Sequence, residues 1–165
     1  DVIEQMVRAV GLSTSQPHVE NGPYDLWIDD LRVKIKATSK TGAQRLVLFR
    51  KASQGKKRQY QLDEFDVLIR VAMVQDSSLV YAFVIPAAEL YIRDLVGTTG
   101  SVGRLTLYPP SSTPKMEKGR KDQIWQSEYF FDPQTLVRDT NEQERLFSIL
   151  RRCRVMRERL TLNAS

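Results

Sequence analysis

The clearest pattern in the chain is a strict two-residue alternation over residues 31–37, with Leu31, Val33, Ile35 and Ala37 on one side and Arg32, Lys34 and Lys36 on the other. That period belongs to a β-strand with one buried face. Residues 24–28 read as a second strand, and Asp29-Asp30 between the runs suits a two-residue hairpin turn, because aspartate tolerates the backbone angles such turns require. The resulting register sets Ile28 opposite Leu31 and Asp25 opposite Lys34. Directly opposed residues share a face, so Asp25, Trp27, Arg32, Lys34 and, diagonally, Lys36 project to one side.

Elsewhere the periods change. Val2, Ile3, Met6, Val7 and Val10 recur at helical spacing, and Gly11 is placed to end that helix. Residues 12–23 are a polar connection, with a short strand expected around residues 15–19. Residues 45–49 read as a strand, and the basic stretch 50–61, which lacks apolar periodicity, as a solvated loop. Two mostly apolar runs, 65–74 and 79–85, have the composition of central strands covered on both faces, with a turn at 75–78 between them. Pro86 stops the second run and opens a short helix over 87–96. A glycine-containing break at 97–103 precedes an edge strand at 104–108 and a second polar basic loop at 109–122. The aromatic segment 124–131 covers one side of the core.

The last helix is the plainest. Thr140 with Gln143 three residues later fits a capping box, and Leu146, Ile149, Leu150, Cys153, Met156 and Leu160 form an apolar stripe. Arg145, Arg151, Arg152, Arg154, Arg157 and Arg159 occupy the other positions. They read as a solvated face, some of it near the negative end of the helix dipole, with phosphate contact as the alternative. This order of elements predicts an α/β (α+β) sandwich around one mixed sheet flanked by helices. A single domain spans 1–165, with a core over 1–95, loops and edge strands over 96–139, and the C-terminal helix over 140–160.

Composition removes several chemistries. Of the 165 residues, 41% are hydrophobic and 27% charged, ordinary for a globular protein with a real core. No apolar run approaches the ~18 residues of a membrane span, so no membrane partner is expected. The lone Cys153 forms no internal disulfide, which favours an intracellular setting, nucleus or cytoplasm not distinguished. With one cysteine and one histidine, His18 in a loop beside Pro17, neither a zinc finger nor a Cys-His or Ser-His-Asp nucleophile has its parts. Gly97, Gly100 and Gly103 do not follow a phosphate-loop pattern. The net charge of +5 permits nucleic acid as a partner.

An Asp followed at short distance by a strand ending in Glu or Gln, an apolar residue and Lys is the signature of the PD-(D/E)xK, or restriction-endonuclease-like, nucleases. Asp25 with Lys34-Ile35-Lys36 resembles that signature, and the segments at 65–68 and 81–90 resemble those that follow it in many such domains. The resemblance covers roughly residues 1–95. It implies a metal-dependent DNA phosphodiesterase in which Asp25 ligates magnesium or manganese and Lys36 orients the attacking water. The chain departs from the signature at Lys34, which stands where the second acid is expected and, when protonated, is no metal ligand. Glu4 on the first helix is the candidate for the missing oxygen, with Glu20 or Asp66 as others.

Three readings follow: an active nuclease with an atypical second carboxylate; a catalytically inactive nuclease-fold module that binds nucleic acid or a protein partner, Lys34 and Lys36 contacting phosphate; and an interaction module unconnected with DNA. Catalytic candidates are Asp25, Lys34 and Lys36, and metal ligands Asp25 and Glu4. Arg50, Lys51, Lys56, Lys57 and Arg58 form the candidate contact loop for double-stranded DNA, and a homodimer is left open.

Overall fold

The computed structural model describes residues 2–16, 22–51, 55–73, 79–97 and 102–164. His18, Glu20, the turn at 75–78 and most of the break at 97–103 lie outside the described residues. In chain order the elements are α1 (Val2–Arg8), β1 (Thr14–Ser15), β2 (Leu26–Ile28), β3 (Leu31–Thr38), β4 (Gln44–Leu48), β5 (Arg50–Lys51), β6 (Lys57–Arg58), β7 (Val67–Met73) and β8 (Leu79–Pro86). They continue with α2 (Ala87–Ile92), β9 (Gly103–Leu107), α3 (Glu117–Ser127), β10 (Phe130–Phe131), α4 (Pro133–Leu136) and α5 (Thr140–Ala164).

The hairpin forms in the expected register, with Ile28 opposite Leu31 and Trp27 opposite Arg32. Asp29 takes a positive φ of 49°, the left-handed conformation that such a turn demands and that aspartate tolerates. Hydrogen bonding continues past β2, the Asp25 amide donating to the Val33 carbonyl at 2.8 Å. Strand β3 then pairs in parallel with β7, and β7 antiparallel with β8, so that the described sheet runs β1-β2-β3-β7-β8-β10 and is mixed, with helices flanking it.

One face of this sheet is apolar throughout. Ile28, Ile69 and Val84 meet Ile3, Met6 and Val7 of α1 and Leu146 and Leu150 of α5 around one small void, which explains the helical stripes at both ends of the chain. The other face carries a second layer. The β4–β9 ribbon turns Leu46, Leu48, Leu105 and Leu107 into the core, and Tyr60 and Phe65 pack edge to face beside them. Expecting the Arg32-Lys34-Lys36 side of β3 to be a solvent face is therefore incorrect. All three side chains are half-buried: Arg32 is bonded to Asp66, Lys34 lies beside the Tyr60 ring, and Gln44 of β4 reaches Arg70 and Tyr81 on the same face.

Three other expectations change. Residues 117–122 are helical, in α3, where a loop was expected. The helix has no apolar stripe and instead carries the i,i+4 pairs Lys118–Asp122 and Lys121–Glu117. Its buried Gln126 accepts from the Tyr108 amide at 2.7 Å and donates to the Thr106 carbonyl at 2.8 Å, docking α3 on the ribbon edge. At α5 the capping box is not formed. The Asp139 carboxylate accepts from the Asn141 amide at 2.8 Å, while the Gln143 side chain reaches the Leu136 carbonyl. Finally, four of the six α5 arginines tie the helix to the rest of the molecule: Arg145 to the carbonyls of Glu128 and Phe130, Arg152 to Glu128, Arg154 to Asp29 and Asp30, and Arg157 towards Asp66. Arg151 and Arg159 are exposed.

Candidate functional site: a basic row on the covered sheet face

The hairpin and the parallel pairing with β7 together build one row of polar side chains. Residues paired across adjacent strands share a face, so Lys34 aligns with Leu68 and Lys36 with Arg70, while Asp25 stands across the hairpin from Lys34. The Lys34 ammonium lies 3.4 Å from the Asp25 carboxylate and 6.0 Å from the centre of the Tyr60 ring. The other Asp25 oxygen accepts from the Ile35 amide at 2.7 Å. Both oxygens are thus engaged by the strand that carries the lysines.

Arg70 is 8% exposed, and its hydrogen bonds go to neutral oxygens: Nε to the Gln44 side chain at 2.7 Å and a guanidinium nitrogen to the Ala37 carbonyl at 3.4 Å. Gln44 donates in turn to the Tyr81 hydroxyl at 2.5 Å. Burial pushes Arg70 below its ordinary value, and among the described residues no carboxylate touches it. Burial, followed by the charge of Lys34, also pushes the Lys36 ammonium down, against the pull of Asp25, with Arg70 adding a further repulsion. Three cations and one carboxylate share this row.

Beyond the turn end of this row stands Arg32. Its guanidinium meets Asp66 at 2.8 and 3.1 Å, and its amide donates to the same carboxylate at 2.7 Å. That pairing, above all the hydrogen bond, holds Arg32 above its ordinary value. Asp66 is consequently a structural anchor of the β3–β7 pairing, its amide and carbonyl also bonded to the Arg32 carbonyl and the Ala87 amide.

The residues on the row do not fit a magnesium ion. A hard divalent cation needs several oxygen ligands, with carboxylates chief among them, whereas the row offers Asp25 with an ammonium against it. Glu4 is not brought there. It pairs with Arg8 on α1, the helix packed on the opposite, apolar face. Among the described residues no three His, Cys, Asp or Glu side chains cluster as a metal site.

The basic loop is more ordered than its sequence suggests. Arg50 pairs with Arg58, and Lys51 with Lys57, across the short β5–β6 ladder. Both arginines converge on Glu64, at 2.9 and 2.7 Å. Burial alone would push the Glu64 carboxyl up, but the Arg58 and Gln61 hydrogen bonds and both arginine charges hold it below the usual range. Lys51, Lys56 and Lys57 remain exposed, Lys57 above the Phe49 ring. Just beyond the ladder comes Tyr60, beside Lys34. Arg70 and Gln44 were missed in the sequence: Arg70 stands inside an apolar run, and only its parallel pairing with Lys36 reveals it.

A larger concavity, about 370 Å³, opens between α2 and the end of α5, lined by apolar side chains including Phe65, Tyr91, Ile92, Met156 and Leu160. Its charged groups, Asp66 and Arg157, face one another at 3.8 Å. Among the described residues no helix is long and apolar enough to cross a membrane.

Comparison with known proteins gives one family and one fold. The MepB-like family model matches residues 27–132, well over half of the chain. The crystal structure of MepB superposes with a TM-score of 0.54 at 16% identity, covering 73% of this chain and 85% of that one. A bacterial homing endonuclease aligns at a TM-score of 0.41 and 20% identity, covering 72% and 82%. No curated protein matches the chain.

Proposed function

This chain belongs to the MepB-like family, and we propose that it binds the sugar-phosphate backbone of nucleic acid through Lys34, Lys36 and Arg70, as a restriction-endonuclease-like module that does not depend on a divalent cation. The observation that carries this reading is the charge imbalance of the row: three cations, one of them the buried Arg70, beside the single carboxylate of Asp25. A buried guanidinium without an acid is costly unless an anion answers it, and phosphate suits the donor geometry of both arginine and lysine. Residues two apart on a strand stand about 6.7 Å apart. Lys34 and Lys36 are thereby spaced to meet successive phosphates of one strand, and the exposed Lys51, Lys56 and Lys57 extend the positive surface.

The reading is tested by fluorescence anisotropy of a labelled duplex with the protein in EDTA and in magnesium. The expected result is binding in EDTA at least as tight as in magnesium, with weakening of several-fold or more for Lys34→Ala. Binding that requires magnesium, together with plasmid nicking abolished by Asp25→Ala, would replace this reading with that of an active nuclease.

A further inference from the structure

We propose a second activity for the same row, resting on the nucleic-acid reading: Lys36 is an amine nucleophile that forms an imine with the aldehyde of an abasic site and cleaves the strand by β-elimination. Each other base in or beside the row has an assigned partner. Arg32 is held by Asp66, Lys34 by Asp25, and Arg70 by Gln44 and the Ala37 carbonyl. Lys36 makes neither an ion pair nor a hydrogen bond among the described residues, although it is half-buried and stands between two cations. Desolvation and adjacent positive charge are the two conditions that turn a lysine into a Schiff-base nucleophile. The lowering of its ammonium by burial and by Lys34 agrees with that placement.

The substrate class follows from the chemistry. An amine needs a carbonyl, and the carbonyl that nucleic acid presents is C1′ of a sugar that has lost its base. Lys36 Nζ adds to C1′ of the ring-opened sugar, and water leaves to give the imine. The imine acidifies C2′–H, whose proton passes to the Asp25 carboxylate. The released electron pair forms the C2′–C3′ double bond as the C3′–O bond breaks and the 3′ phosphate leaves. Water then hydrolyses the imine, returning the lysine and freeing the unsaturated aldehyde. One water is released and one consumed, so no oxidant, reductant or metal is required. Lys34 and Arg70 hold the flanking phosphates.

The test is reductive trapping. Protein is mixed with an oligonucleotide carrying one abasic site, and with the same oligonucleotide intact, in EDTA with sodium borohydride. The adduct is read by gel and its position by peptide mass spectrometry. The expected result is an adduct with the abasic strand alone, attached at Lys36. Its yield should fall at least tenfold in Lys36→Ala and in Lys36→Met, which keeps the stem packing, and should be unchanged in Lys118→Ala on the exposed side of α3. Circular dichroism verifies that each variant is folded. Without reductant, the parent should yield a cleaved strand. Binding of the abasic strand with no adduct, or an adduct scattered over several lysines and insensitive to Lys36, overturns this inference and leaves the binding reading standing. Failure to bind any oligonucleotide overturns both.

Discussion

Removing Asp66 should be among the most damaging single changes in this molecule. Its carboxylate, 4% exposed, takes two bonds from the Arg32 guanidinium and one from the Arg32 amide, and Arg157 stands 3.8 Å away. Asp66→Ala strands the Arg32 charge in a site where its side chain is only 19% exposed. Breaking a buried pair by deleting one partner costs about 3–5 kcal/mol. Partial exposure of Arg32 to water reduces this to about 2–4 kcal/mol. For a chain of this size, a loss of about 3 kcal/mol lowers Tm by roughly 6–12 °C. Urea denaturation of the parent, Asp66→Ala, Arg32→Met and the double variant gives the answer. The double variant should be more stable than Asp66→Ala, because it removes the stranded cation. A loss below about 1 kcal/mol for Asp66→Ala, or a double variant with simply additive losses, would refute the anchoring role.

Three further outcomes are expected. Glu64→Gln should cost about 1–2 kcal/mol at neutral pH, given that Arg50 and Arg58 are both part-exposed. The Glu64 carboxyl titrates lower in the folded state than in the unfolded chain, so its contribution is present above the unfolded value near 4.5 and is lost as pH falls through the folded value; urea midpoints of parent and variant should converge in acid. Gly103→Ala should lower thermal stability by about 1–3 kcal/mol, because its Cβ would fall 2.4 Å from the Leu95 carbonyl oxygen, a backbone atom with little room to yield. Lys34→Glu sets a second carboxylate across from Asp25, and calorimetry with manganese should then show binding that exceeds that of the parent; equal, undetectable heats from two folded proteins would refute that expectation.

The hairpin was legible because alternation and turn chemistry are local properties, and its register alone juxtaposed Asp25 and Lys34. The terminal helices were legible for the same reason, from their apolar stripes. What the pattern concealed was pairing at a distance. Nothing in residues 31–37 announces a parallel partner, so the alignment of Lys36 with Arg70 and the burial of the lysine face emerge only from the β3–β7 crossover and the ribbon laid over it. Helix α3 escaped because its stability rests on ion pairs and Gln126 in place of an apolar face. Most of the α5 arginines read as solvent-facing, yet guanidinium groups reach far enough to bond Asp29, Asp30 and Glu128 on neighbouring segments. Glu4 stands apart from the row on a global ground: its helix packs on the other side of the sheet.

The salt dependence of duplex affinity tests the central claim most directly. Each phosphate neutralised by a lysine contributes about 0.9 to the slope of log K against log salt concentration. Anisotropy titrations in EDTA at several salt concentrations should therefore give slopes about 0.9 shallower for Lys34→Ala and for Lys36→Ala than for the parent, and about 1.8 shallower for the double variant. Slopes identical to that of the parent, in variants shown to be folded, would contradict the assignment of this row to phosphate.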